Sequence, residues 1–350
     1  MQWKEGAEYV CLSHIICRPN RNRYSIQRFI LSSYNENVKE SSISVISMQY
    51  PDSELEMNIK RFKENGLSIF YCRVLGLGKD PIKGINGRFV TEQRIVHDSA
   101  RARIRSMPQE SSVIAATSDS GTVLVYDLRQ HEKSPSDHVP HPQHKCSSHS
   151  VPISSVSWSP SDKGHLASCA DGHVCLWDIG DGCSHSPEHD FTEQKGSIRD
   201  VKWHPFDSNE IAACGENSFV YFYDRRKAGS TSQLQAHKQA VNCIAFNPIE
   251  RFLFATASSD TTVALWDSRN TTRPLHTLFG HSAPVTCLEW SPFNAGVVAT
   301  GGEDERVFLW DLNRVGSDPS ELWFIHGGHT APILEIAWNP NVPLFGMAVA

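Results

Sequence analysis

The chain repeats itself every 43 to 48 residues, and that period limits its fold more tightly than any bulk property. An aromatic, a small or polar residue and a proline recur as Trp158-Ser159-Pro160, Trp203-His204-Pro205, Phe246-Asn247-Pro248, Trp290-Ser291-Pro292 and Trp338-Asn339-Pro340. A second phrase, an aromatic followed by aspartate, keeps the same beat at Asp127, Asp178, Asp224, Asp267 and Asp311. Two independent markers in one register demand a repeated structural unit. Within a unit, hydrophobic alternation predicts a strand over 241–246, and a run of small residues predicts a second over 254–257. Renewed alternation marks a third over 262–266, and a return strand follows over 275–279, with proline and glycine between.

This pattern resembles the WD-repeat family, in which each unit of about 40–45 residues forms one four-stranded propeller blade. Units starting near residues 9, 102, 153, 198, 241, 285 and 333 predict an all-β, seven-bladed WD-repeat β-propeller. The last blade is expected to be incomplete, because its unit stops at Ala350 before a third strand. Residues 1–350 then make a single propeller domain, with the clearest repeats over 97–350. The first unit is recognised only from alternating runs at 24–32 and 42–49, and residues 51–88, rich in Gly and Lys, predict a surface insertion. Both ends of the chain read as incomplete, and an unclosed ring would need another segment, such as the N-terminus, to cover its strand edge.

The best units carry the polar set that the resemblance implies is structural: His237, Thr256, Asp260 and Trp266 in one, His281, Thr300, Asp304 and Trp310 in the next. A buried indole N–H, imidazole and carboxylate are costly unless each is hydrogen-bonded, so a closed chain of partners pins one blade geometry. The same residue types would suit a hydrolase triad. Their recurrence unit after unit argues for architecture, and no enzymatic activity is expected. Two units depart from the pattern: one has Gln194-Lys195, Asn217 and Tyr223 at the corresponding places, the other Tyr126. Those blades should lean more on their neighbours.

Charge then narrows the partners. A formal charge of -6 and a pI near 6.3 supply no global attraction for phosphate backbones, so direct nucleic-acid binding is not expected. The basic cluster Arg18, Arg21, Arg23 and Arg28 is assigned no function. Ten scattered cysteines without a CxxC pair suit a reducing compartment, and no apolar run approaches the roughly 20 residues of a membrane helix. A soluble protein of the nucleus or cytoplasm is expected.

Four stretches go beyond a generic repeat: ELWFIHGGHTAPILEIAWNPN from Glu321 to Asn341, ARIRSMPQ from Ala102 to Gln109, GHLASCADGHVCLWDI and VNCIAFNP. They closely resemble the histone-binding WD-repeat proteins, the retinoblastoma-binding and nucleosome-assembly subunit type, over roughly residues 23–343. The resemblance implies a nuclear, cofactor-free scaffold subunit of histone deacetylase, Polycomb repressive or chromatin-assembly complexes, holding histones rather than modifying them. Of the helix-clamping loop that family carries, only Asp318, Pro319 and Glu321 remain, and the N-terminus shows no convincing amphipathic helix. At the mouth of the central channel, Arg103 and Asn242 match the family. Ala100, Pro152, Ser154, Arg199, Pro284, Thr286 and Val342 stand where carboxylates and aromatics would grip a basic tail. Weak tail binding follows.

Three motifs remain. Arg129, Arg226 and Arg269 each follow an aspartate by two residues. This D-x-R form resembles the box by which some WD-repeat proteins dock on adaptors of Cullin-type ubiquitin ligases, giving an alternative role as a substrate receptor, against simple bracing of the blade. His138, His141, His144, Cys146 and His149 offer zinc-type donors in what otherwise reads as an ordinary loop, and no metal is assigned. Gly76-Leu77-Gly78-Lys79 lacks the spacing and the strand-to-helix context of a phosphate loop.

Overall fold

The computed structural model describes residues 7–19, 24–35, 40–51, 90–99, 102–135, 137–180, 186–192, 196–316, 321–340 and 346–349. Blade one comprises β1 (Ala7–Pro19), β2 (Tyr24–Asn35), β3 (Glu40–Pro51) and β4 (Val90–His97). Blade two is β5 (Ile104–Ser106), β6 (Val113–Thr117), β7 (Thr122–Asp127) and β8 (His144–Ser147). Blade three follows as β9 (Ser155–Trp158), β10 (His165–Ala170), β11 (His173–Asp178) and β12 (His189–Thr192). Blade four holds β13 (Ile198–Trp203), β14 (Glu210–Gly215), β15 (Phe219–Asp224) and β16 (Ser230–Gln235). Blade five holds β17 (Val241–Phe246), β18 (Leu253–Ser258), β19 (Val263–Asp267) and β20 (His276–Leu278). Blade six is β21 (Val285–Trp290), β22 (Val297–Gly302), β23 (Val307–Asp311) and β24 (Leu322–His326). A two-stranded sheet, β25 (Glu335–Trp338) with β26 (Gly346–Val349), comes last.

The propeller therefore has six blades, and the seven expected from the repeat count are corrected to that number. The physical reason is that the aromatic-Pro phrase marks only the innermost strand of a unit. A blade needs three further antiparallel strands behind it, and after β25 only β26 follows among the described residues. The innermost strands nevertheless run in a ring, β1, β5, β9, β13, β17, β21 and β25, with β25 and β26 packed against β1. The N-terminal strand thus meets the closing sheet. The insertion expected over 51–88 lies, apart from Pro51, outside the described residues.

Every blade is an antiparallel meander, so its connections alternate between two faces of the disc. Turns from second to third strand, and the crossings to the next blade, emerge on what we call the upper face. Connections from first to second and from third to fourth strand emerge on the lower face. The hydrophobic core lies between sheets rather than within them. Val123, Val125 and Cys146 of blade two pack on Val156, Leu166 and Trp177 of blade three. Leu265 and Leu278 of blade five likewise pack on Leu288, Phe308 and Trp310 of blade six. The upper turns of blades two to six contain left-handed residues: Gly121 (φ 78°), Asp171 (φ 41°) with Gly172 (φ 80°), Ser218 (φ 69°), Thr261 (φ 71°) and Glu305 (φ 62°).

Candidate protein-interaction site

Blades five and six assemble the polar chain atom by atom. His281 Nδ1 lies 3.0 Å from Asp304 Oδ2, its Nε2 lies 2.8 Å from Thr300 Oγ1, and Trp310 Nε1 donates to the same hydroxyl at 2.8 Å. In blade five His237 meets Asp260 at 3.0 Å and Thr256 at 2.8 Å, and Trp266 Nε1 donates to Thr256 at 3.0 Å. The geometry dictates one proton arrangement: Nδ1–H donates to the carboxylate, and Nε2 accepts the threonine hydroxyl, whose oxygen accepts the indole N–H. Burial holds both imidazoles below their ordinary pKa, which keeps them neutral and the chain intact. Thr256 and Thr300 are 0% exposed, so neither hydroxyl can meet a substrate. These two sets brace the blades.

A third chain joins His149 Nε2 to Ser168 Oγ at 2.8 Å, with Trp177 Nε1 donating to Ser168 at 2.9 Å. Sequence reading left His149 among the candidate metal donors. The missed signal was spacing: 19 residues separate His149 from Ser168, as they separate His237 from Thr256 and His281 from Thr300. Burial pushes the His149 pKa down to about 4. The other histidines of that stretch disperse, His138 toward Glu40 and His141 toward Asp137, and Cys146 is buried in the core. Among the described residues no group of three or more His, Cys, Asp or Glu could hold a metal ion.

Blade four replaces the chain. Asn217 Nδ2 donates to Tyr221 Oη at 2.6 Å, and Tyr223 stacks on Phe191 of blade three with centroids 4.9 Å apart. Blade two uses His97, whose Nδ1 lies 3.0 Å from Tyr126 Oη and whose Nε2 lies 2.9 Å from the Thr117 carbonyl.

The residues expected to hold a partner do not form one site. Arg103 and Asn242 both reach the upper mouth of the channel, where each is engaged. Arg103 pairs with Glu335 at 3.6 Å, and Arg105 joins the same carboxylate. Asn242 Oδ1 accepts from Arg199 at 2.6 Å while its Nδ2 donates to the Val285 carbonyl at 2.8 Å. Arg199 also grips Glu216 at 2.9 Å, so a cation sits bridged across blades four and five at the mouth. Glu321 is on the lower face, 3.1 Å from His276 Nε2. Asp318, Pro319, Ala100 and Val342 lie outside the described residues. Between blade six and the closing sheet, burial pushes the Glu289 carboxyl up to about 8, while its Oε2 accepts the Trp338 N–H at 2.7 Å and so ties the two together.

The three D-x-R arginines turn back on their own aspartates. Arg226 Nε and Nη2 donate to Asp224 at 2.8 and 2.7 Å, and Arg269 grips Asp267 in the same two-pronged way at 2.9 and 2.6 Å. Arg129 does so at 2.9 and 2.8 Å and adds Glu110 of its own blade at 2.6 Å. Each guanidinium pulls its aspartate to a pKa of about 2. Bracing of the turn is the role this geometry supports.

Carboxylates gather on the upper turns. Asp119, Asp171, Glu303 and Glu305 are all exposed at second-to-third-strand turns of blades two, three and six. Among the described residues none of the four is in an ion pair with Lys or Arg, whereas Lys238 and Arg306 are the exposed cations nearby on that face besides the engaged Arg199. Three stretches of the chain, residues 140–178, 229–267 and 272–311, match the WD domain, G-beta repeat. They end at the third strands of blades three, five and six, the three blades in which a histidine, a hydroxyl and an indole are chained.

Proposed function

We propose that this WD-repeat propeller is a non-catalytic protein-interaction scaffold whose upper face receives a basic protein partner, with histones in a nuclear chromatin or repressor complex as the specific assignment. The supporting observation is the set of exposed carboxylates Asp119, Asp171, Glu303 and Glu305, none of which is in an ion pair with Lys or Arg among the described residues and which outnumber the nearby exposed cations Lys238 and Arg306. Such a field attracts Lys- and Arg-rich segments and speeds their encounter. The histone assignment rests on the sequence resemblance. The mouth itself argues for weak tail binding, because Arg199 already occupies Asn242 and would repel a cationic side chain. Titration of the purified protein with a lysine-rich histone-tail peptide should give weak binding that tightens at low salt and disappears in Glu303→Lys/Glu305→Lys. Binding indifferent to that pair, or absent at low salt, overturns the reading.

A further inference from the structure

One segment of blade four stands clear of the rest of the molecule. From Arg226 to Gln233 eight consecutive residues are exposed, the longest such run among the described residues, spanning the lower turn between β15 and β16 and the start of β16 itself. Gly229 takes a left-handed φ of 80° in that turn, with open space where a side chain would stand, so nothing overhangs the chain there.

Ser230 follows the glycine as the first residue of β16. It pairs with Tyr223, but the ladder skips Thr231 before Ser232 meets Phe222, so Ser230 lies beyond a break in register. β16 is also the outermost strand of its blade, paired on one side alone. A strand end of this kind opens at less cost than the interior of a sheet and can enter the cleft of a modifying enzyme.

The residues before Ser230 supply a second, independent observation. Arg225, Arg226 and Lys227 are three consecutive cations, a run found nowhere else in the chain, and Asp224 is the one acid from there to Gln235. Arg225 turns to Asp162 of blade three at 3.0 Å, and Arg226 grips Asp224. The Arg226 side chain is nevertheless 66% exposed, and Lys227, three positions before Ser230, is exposed and in no ion pair among the described residues. Kinases whose substrate clefts are lined by carboxylates select a hydroxyl by such basic residues on its N-terminal side, because charge pattern sets their specificity.

Thr272 and Ser106 also stand three positions after an arginine, and the fold withdraws both. The Thr272 hydroxyl donates to Asn270 at 2.7 Å, and Arg269 lies over the Phe252 ring. Ser106 belongs to the innermost strand β5, with Arg103 and Arg105 held by Glu335.

We propose that Ser230 is a phosphorylation site for a basic-directed protein kinase. In the transfer, Ser230 Oγ bonds to the γ-phosphorus of ATP and the bond from that phosphorus to the oxygen bridging to the β-phosphate breaks. ADP leaves, and the hydroxyl proton passes to the catalytic base of the kinase. The phosphate adds about 1.5–2 negative charges at neutral pH, which offsets the excess of Arg225, Arg226 and Lys227 over Asp224 and removes the positive charge of this turn. The site does not rest on the basic partner assigned to the upper face and stands if that assignment fails.

The test incubates the full chain with ATP and the catalytic domain of a basic-directed kinase, or of an acid-directed kinase as control, and locates the phosphate by mass spectrometry. Stoichiometric phosphate on Ser230 is expected with the first kinase and none there with the second. Ser230→Ala should remove it. Arg226→Ala/Lys227→Ala should lower kcat/KM for the transfer by roughly tenfold or more, while Arg269→Ala leaves it unchanged. Unaltered melting temperatures check that these exposed substitutions leave the fold intact. Absence of phosphate from Ser230 in the folded chain overturns the proposal, including the case in which Thr231 or Ser232 is modified instead. Equal modification by the acid-directed kinase, or an unchanged rate in the double variant, overturns it as well.

Discussion

Blades five and six close the same chain of aspartate, histidine, threonine and tryptophan, while blade four does without it and still forms four paired strands of equal length. What blade four has instead is contact with its neighbours: Tyr223 and Tyr221 join Phe191, Trp203 and Val174 in the layer shared with blade three, and Phe222 packs edge-on against Phe254 of blade five. The comparison teaches that the polar chain supplies local stability to a blade, and that interfacial packing can substitute for it in a ring.

The sharpest way to break that contrast is to remove an indole. Trp310→Ala deletes a side chain that is 1% exposed and removes the indole N–H from the Thr300 hydroxyl, which keeps only His281, so chemical denaturation should show a loss of about 3–5 kcal/mol. Tyr223→Phe should lose about 1 kcal/mol or less by the same measurement. A loss as large in blade four would mean that its tyrosine carries the same burden. Next in size, Asp304→Ala leaves the buried His281 Nδ1–H and the Ser282 N–H without their acceptor and should lose about 1–3 kcal/mol. Asn217→Ala, at the equivalent turn, should stay below about 1 kcal/mol.

Proton linkage sharpens the contrast between the histidine-bearing blades and the closing sheet. His149 has a folded pKa of about 4 against an ordinary value of 6.5, so the unfolded chain binds more protons between those limits. Its contribution is therefore full above pH 6.5 and is lost as pH falls toward 4, and His237 and His281 act in the same direction. Glu289 acts oppositely. Its folded value of about 8 means the folded state binds the extra proton, so stability declines as pH rises from the ordinary carboxyl range to 8. Melting temperature against pH should thus fall on both sides. Glu289→Gln should flatten the alkaline limb alone, and an unchanged alkaline limb would show that the seam between β21 and β25 is not where the proton sits.

Smaller effects complete the series. Thr261→Gly, which relieves a β-branched residue at φ 71°, should stabilise blade five by about 1 kcal/mol or less, because glycine's greater freedom in the unfolded chain offsets part of the gain. Arg226→Ala should move the melting temperature by about a degree or less, as an exposed ion pair within one turn contributes little.

Much of the blade architecture was legible in the residues. The repeat phrase placed the innermost strands of blades three to six and of the closing sheet, and the Asp, His, Thr and Trp of blades five and six stood at spacings that translate directly into hydrogen bonds. His149 was obscured because it sits in a His- and Pro-rich loop where composition suggests a metal, while the 19-residue step to Ser168 suggests a blade. The candidate partner residues fared differently. Arg103 and Asn242 were placed at the mouth by register, but their engagement by Glu335 and Arg199 involves residues 232 and 43 positions away, which no local pattern reports.

By itself the sequence determined the period, the all-β class and the residues that chain blades five and six, because strand alternation and turn chemistry act over a few residues and repeat with the unit. Only the tertiary structure decided how many blades are complete, which cations are already paired, and that carboxylates from separate repeats collect on one face. Those outcomes depend on which strand pairs with which around a closed ring, and pairing across the ring is set by packing between units rather than by any signal within one.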